Sequence, residues 1–402
     1  MLRLEDFRHI VPDQTLAEIY ARARKLYGKH IIHLNATYQG GGVAEILYSL
    51  AMLMNDVGVD AGWRILHGSQ EFFEITKSFH NALQGAKLNL SDQKKRLYRL
   101  VNENFSRFTH LDHDCVIVHD PQPLALIASY KKEQPWIWRC HIDLTDPHAE
   151  LWDFLKGFVL KYDQMVVSSE KYFKDDLPVD QRLMYPAINP LSPKNAALSE
   201  RAIEEQLTKA NVPLDKPLIT QVSRLDPWKD PEGVIDIFKM VKQQVDCRLV
   251  LCYNVASDDP EGLQMYKKVQ RKANKMMETG DILLVVGNSE KLVNAIQQHS
   301  RVVIQKSTKE GFCLAVTEAM WKGTAVVASN VGGIPAQIED GKSGYLLEAD
   351  DYTGFADRIV TLLKDPDQAT EVGRQAKERV RNKFLITRLL SDYLDMLNAI
   401  MA

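Results

Sequence analysis

Short apolar, β-branched runs recur along this chain with helix-patterned stretches between them, and that alternation restricts the fold more than any other feature. His30 to Ala36, Gly58 to Leu66, Cys115 to His119, Trp136 to His141 and Met165 to Ser168 read as strands in the first half. Helices are expected from Val43 through Asn55 and from Ser91 to Arg107. Strands alternating with helices need crossover connections and imply a parallel sheet. The texture then breaks at Tyr185 to Lys194 (Y-P-A-I-N-P-L-S-P-K), whose prolines fit neither a helix interior nor a central strand. Beyond it the pattern restarts, with strands expected at Leu218 to Val222, Arg248 to Tyr253, Ile282 to Val286, Arg301 to Ile304 and Ala325 to Ala328. A length of 402 residues is long for one core. The expectation is an α/β chain of two Rossmann-like, doubly wound domains, 1–190 and 191–384, facing across a cleft. Ligands are expected at the carboxyl ends of the strands and in that cleft. A helix over 385–402 is expected to pack back across the hinge.

The stretch from Lys306 to Glu318 (K-S-T-K-E-G-F-C-L-A-V-T-E) reads as a strand end, a glycine turn at Gly311 and a helix start. The first amides of a helix lack intrahelical partners and carry the positive end of the dipole, so the junction favours an anionic or hydroxyl-rich ligand. Glu310 precedes those amides and Glu318 follows about two turns on. At the helical rise that is roughly 12 Å, enough to reach two ends of one elongated ligand. Two solvated surface acids fit the same residues.

Other strand ends carry polar groups. Val222 to Asp230 (V-S-R-L-D-P-W-K-D) places Arg224, a planar fork, near Lys229, a mobile point charge, a pairing suited to a diphosphate. Two surface cations remain the alternative. Gly40-Gly41-Gly42 lies between the first strand and its helix, where glycines permit positive φ and close approach of backbone to ligand. It is not a dinucleotide fingerprint, which needs glycine where Glu45 stands. His119-Asp120 and His141 each close a strand on the same rim. His141 and Asp143 are candidates to face a ligand, with Asp120 to accept a sugar hydroxyl, although strand-end histidines are commonly structural.

Several function classes are disfavoured. A formal charge of −3 lacks the basic excess of a nucleic-acid binder. No stretch approaches the apolar length of a membrane span or a signal peptide. Five scattered cysteines without a C-x-x-C pair suit a reduced, cytoplasmic protein. Gly341-Lys342-Ser343 lacks the first glycine of a P-loop, and Asp112-His113-Asp114 reads as a polar turn before a strand. No fixed metal site is expected. After Pro12, the residues Leu16, Ile19, Tyr20, Ala23, Leu26 and Tyr27 form one helical stripe ending at Gly28, read as core packing with a homodimer contact as the alternative.

Taken jointly, Glu310 to Glu318 (E-x7-E), V-S-R-L-D-P-W-K, the glycine turn and Ala328 to Leu346 (A-S-N-V-G-G-I-P-A-Q-I-E-D-G-K-S-G-Y-L) resemble the retaining GT-B glycosyltransferases of the sucrose and glycogen synthase type. His33 to Glu45 (H-L-N-A-T-Y-Q-G-G-G-V-A-E) looks more narrowly like the trehalose glycosyltransferring synthases, whose relatives include trehalose phosphorylases. The resemblance implies an acceptor domain followed by a nucleotide-sugar domain. It implies Glu318 on ribose hydroxyls, Glu310 on sugar hydroxyls, and Arg224 and Lys229 on the diphosphate. The amides of Gly311, Phe312, Cys313 and Leu314 would complete the donor site, with Gly41 and Gly42 approaching the phosphates. Asp120 and His141 match positions contacting the transferring or accepting sugar, with His141, Glu310, Arg224 and Lys229 as the catalytic set. The implied reaction is glucosyl transfer from a nucleoside diphosphate glucose to free glucose. No tightly bound cofactor is implied, and Mg2+ would arrive, if at all, with the diphosphate. A trehalose phosphorylase and a non-catalytic sugar-nucleotide-binding module are the alternatives.

Overall fold

The computed structural model describes residues 2–38, 41–254 and 260–401, so Gly40 lies outside the described residues. The chain divides into two compact units, Met1–Ala187 with Ile386–Ala402, and Ile188–Leu385.

In the first unit the strands are β1 (His30–Asn35), β2 (Asp60–Ile65), β3 (Cys115–His119), β4 (Trp136–Arg139), β5 (Gln164–Val167) and β6 (Asp180–Leu183). They form one parallel sheet in the order β2-β1-β3-β4-β5-β6. β1 runs to β2 on one side, and the chain then returns to the other side as β3, so the winding reverses between β1 and β3. In such sheets the reversal leaves a crevice at the carboxyl ends, where ligands bind. β3 and β4 are buried throughout, as parallel strands covered on both faces are. The aromatic core on one face gathers Phe72, Phe79, Tyr98, Trp136 and Trp138. Phe72 and Phe79 come from a helix, Gln70–Leu83, that the strand reading passed over.

The N-terminal helix, Asp13–Ala23, buries Leu16, Ile19 and Ala23, as the stripe requires. Tyr20 and Tyr27 were expected on the same stripe, yet Tyr27 is 79% exposed and Tyr20 is exposed too. The α-helix tightens to 3-10 geometry at Arg24–Leu26, which rotates the stripe before Tyr27. The apolar face packs against the helix Ile386–Ile400, fixed by Arg22 to Asp395 (2.9 Å) and by Asn398 Nδ2 donating to the Arg22 carbonyl (3.1 Å).

The second unit contains β7 (Leu218–Arg224), β8 (Arg248–Asn254), β9 (Ile282–Val286), β10 (Val302–Gln305), β11 (Ala325–Ser329) and β12 (Tyr345–Leu347). Its order, β12-β11-β10-β7-β8-β9, is that of a dinucleotide-binding fold, wholly parallel, with the reversal between β7 and β10. β6 and β12 are edge strands of three or four residues that the alternation missed. Both sheets are therefore doubly wound, as expected.

Candidate functional site

Each sheet places a polar cluster at its reversal. In the second unit, β7 ends at Arg224 and leads into a 3-10 turn, Pro227–Lys229. Asp226 caps that turn, its Oδ1 accepting from the Trp228 amide (2.9 Å). Gln221 Nε2 holds the Lys229 carbonyl (2.8 Å). β10 ends at Gln305 and continues through buried Lys306 and Ser307 to Glu310. Three links stitch the two loops: the Lys229–Glu310 ion pair, the Lys306–Asp230 ion pair, and the Thr308 amide on the Trp228 carbonyl (2.8 Å). Burial alone would depress the Lys229 ammonium, but Glu310 beside it outweighs that and raises its pKa. The Lys229 ammonium therefore stays charged at neutral pH. Lys306 also sits 4.4 Å over the Tyr352 ring. Arg224 is about half exposed, and among the described residues its guanidinium pairs with Asp226 alone, at 3.4 Å.

The turn before the next helix differs from expectation. The residue with positive φ is Cys313 (φ 73°), not Gly311, and the helix Leu314–Trp321 begins directly after it. Glu310 thus precedes a non-helical turn, and the helical rise does not apply across the whole E-x7-E interval. Gln337 clamps the turn, its Nε2 donating to the Phe312 carbonyl while its Oε1 accepts from Thr317 (2.6 Å). Gly333 lies so close that a Cβ there would stand 2.6 Å from the Gly311 carbonyl oxygen.

Glu318 is buried one turn into that helix, against expectation for a solvated surface acid. Its Oε1 pairs with Lys194 (2.9 Å), while Oε2 is buried without a hydrogen-bond partner. A buried carboxylate oxygen left open asks for a donor. Lys194 belongs to the proline-rich stretch, read from sequence only as a connection. That stretch is anchored by Asn294 Nδ2 on the Pro193 carbonyl (2.9 Å) and, just beyond its end, by Trp321 Nε1 on the Asn195 carbonyl (3.1 Å).

In the first unit, His119 ends β3 and His141 follows β4. Asp120 adopts a left-handed backbone (φ 62°), which a short polar side chain tolerates. Its Oδ1 accepts from the His141 amide (2.8 Å), and burial pushes its pKa up to about 6. Asp120 is thereby committed in part to holding the His141 backbone. Asp143 is buried, its Oδ1 accepting from the Thr145 amide (2.8 Å), so it shapes its own turn. Gly41 has an extended backbone (φ −163°) and Gly42 opens a helix, so neither uses the positive φ expected there. A Cβ on Gly41 meets nothing within 4 Å, which leaves its backbone approachable. The reading from sequence missed His33, which with His119 is buried and joins the partly exposed His141 in a row. No cluster of His, Cys, Asp or Glu able to hold a metal occurs among the described residues, and no described helix is long and apolar enough to cross a membrane.

Residues 33–174 match the family model "Trehalose synthase, N-terminal domain", and residues 202–379 match "Glycosyl transferases group 1". A trehalose synthase of Thermococcus litoralis is 46% identical over 401 residues, covering 99% of this chain and 97% of that protein. The chain belongs to the trehalose synthase family. A trehalose phosphorylase of Grifola frondosa is 27% identical, covering 94% of this chain but 58% of its own length. Among solved structures, a UDP-forming trehalose-phosphate synthase from Burkholderia xenovorans superposes with a TM-score of 0.74 at 14% identity, covering 93% of this chain and 99% of that one. The fold is thus that of the GT-B glycosyltransferases, and the family makes the chain a trehalose-related hexosyltransferase.

Proposed function

We propose that this chain is a retaining glucosyltransferase that joins glucose from a nucleoside diphosphate glucose to free glucose, forming trehalose. The observation that carries the reading is the pair of chain segments leaving β7 and β10 in the second unit: the first brings half-exposed Arg224 and charged Lys229, the latter paired to Glu310, and the second leads into the helix whose buried carboxylate, Glu318, keeps one oxygen open. Cations suit a diphosphate, and an open carboxylate oxygen suits a ribose hydroxyl; a nucleoside diphosphate sugar presents both. The UDP-forming activity in the name of the Burkholderia relative supports the same donor class.

In the reaction the bond from the glucose anomeric carbon to the diphosphate oxygen breaks. Arg224, Lys229 and the amides that open the helix Leu314–Trp321 stabilise the charge left on the diphosphate. The acceptor's anomeric hydroxyl attacks from the face the diphosphate leaves, and its proton passes to the departing phosphate oxygen. Retention then needs no side-chain nucleophile. Glu310, oriented by Lys229, takes sugar hydroxyls, and His141 and Asp120 offer polar contacts to the glucosyl groups. Any magnesium ion arrives with the diphosphate.

Product analysis tests this directly. Pure protein is incubated with UDP-, ADP- or GDP-glucose and free glucose, beside arms with glucose 6-phosphate as acceptor and with trehalose plus inorganic phosphate. Trehalose formed from a nucleotide donor and free glucose is the expected result. Glucose 1-phosphate released only in the phosphate arm would make the protein a phosphorylase, and product only with glucose 6-phosphate would replace the acceptor.

A further inference from the structure

His33 and His119 have no part in the reaction as written, yet they form a continuous row with His141. His33 Nδ1 lies 3.0 Å from His119 Nε2, and His119 Nδ1 lies 3.0 Å from His141 Nε2. Strand register builds the row. His33 pairs in register with Ile117 and His119 with Arg139, so each next imidazole stands two residues further toward the carboxyl end than its neighbour's partner. Residues two apart share a face, and adjacent strands lie about 4.8 Å apart, so the rings climb diagonally across the sheet in contact.

The row carries little charge. Burial lowers the pKa of all three imidazoles, that of His33 to about 4, and the buried Arg139 guanidinium lowers those of His119 and His141 further. Asp120 and Tyr393 are the other titratable groups against the row, with the Tyr393 ring edge-on to His33 at 5.8 Å. Each neutral imidazole has one ring proton, and each contact in the row needs one donor and one acceptor. Two arrangements satisfy both contacts. They differ at the inner end, where His33 Nε2 is buried without a partner. With protons on Nε2 throughout, a buried N–H would be orphaned there; with protons on Nδ1, only a lone pair is left. Folded proteins tolerate an under-used acceptor better than an orphaned donor. The second arrangement leaves the His141 Nδ1 proton without a partner among the described residues, on a partly exposed ring.

We propose that His33 and His119 are positioning residues that hold the His141 ring proton on Nδ1, so that this strand end offers a ligand oxygen a neutral donor and no base. Naming that oxygen as a sugar hydroxyl's rests on the function proposed above; the proton placement does not.

The test is long-range proton–nitrogen NMR of the whole chain labelled in its histidine rings, without substrate at neutral pH. Signals are assigned by their loss in His33→Asn, His119→Asn and His141→Gln. Protonated Nδ1 and bare Nε2 on all three rings are expected; a protonated Nε2 on His141 overturns the proposal. Two isosteric variants then probe the control. His119→Asn places an amide donor where Nδ1 was and keeps the His141 proton on Nδ1. His119→Asp places an acceptor there and draws a proton onto His141 Nε2, lowering glucosyl transfer about tenfold relative to His119→Asn. An unchanged His141 spectrum in His119→Asp refutes control by the row. Correct tautomers in a protein that forms no trehalose would refute the function and leave this inference standing.

Discussion

The two reversal points occupy equivalent places in similar sheets but solve opposite electrostatic problems. In the second unit, three lysines, Lys194, Lys229 and Lys306, are each matched to a carboxylate within partly or fully buried loops. In the first unit, burial keeps three imidazoles neutral, with Arg139 adding to it at His119 and His141, and the nearby Asp120 is pushed toward its neutral form. The difference teaches what each surface can hold. A charged, cation-rich rim suits a diphosphate, whereas an uncharged row of ring donors and acceptors suits hydroxyls, which gain little from charge and lose specificity to it. Topology supplies the crevice in both, and the chemistry comes from the few residues that follow the strands.

The contrast is broken most severely by Lys229→Ala. Removing that cation leaves Glu310 buried and unpaired, so turnover is expected to fall about 10²–10³-fold, as when one transition-state donor is lost. Steady-state kinetics, with circular dichroism to confirm the fold, measures it. Gly333→Ala keeps every charge but drives a Cβ into the Gly311 carbonyl and the Phe312 backbone. It should shift the turn, lower thermal stability by about 1–3 kcal/mol and weaken donor binding, read by calorimetry and titration.

A gentler probe uses pH. His33 titrates at about 4 in the folded chain against an ordinary 6.5, so between those values the unfolded chain binds more protons and stability falls as pH falls. His119 and His141 act in the same sense. Asp120, raised from 3.8 to about 6, acts oppositely, because there the folded state binds more protons. Three groups oppose one, so melting temperature should drop from pH 6.5 to 4, and a His33→Asn, His119→Asn double variant should flatten that slope. The least effect is expected from Glu371→Ala, which removes a surface pair with Arg374 and a surface hydrogen bond from Gln375; unchanged melting and activity would show that charge matters here by place rather than by count.

Much of this was legible in the sequence because parallel strands buried on both faces read as unbroken apolar runs, such as Cys115 to His119. The edge strands were not: β6, Asp-Gln-Arg-Leu, has no apolar run to read. Arg224, Lys229, Glu310 and Glu318 stood out as polar residues at strand ends or helix starts. Lys194 did not, since its pairing with Glu318 spans more than a hundred residues and nothing local announces it. The positive φ fell to Cys313 because the clamp from Gln337 fixes the turn, and a glycine nearby was an incomplete guide. His119 and His141 were visible singly, whereas His33 and the row emerge only from strand register.

Because the first unit draws on residues 386–402 as well as 1–187, the second unit is an insertion within it. During synthesis the whole second unit is therefore made before the helix that brings Tyr393 to His33. At roughly 5–20 residues per second, the first unit waits some tens of seconds between its bulk and its closing helix.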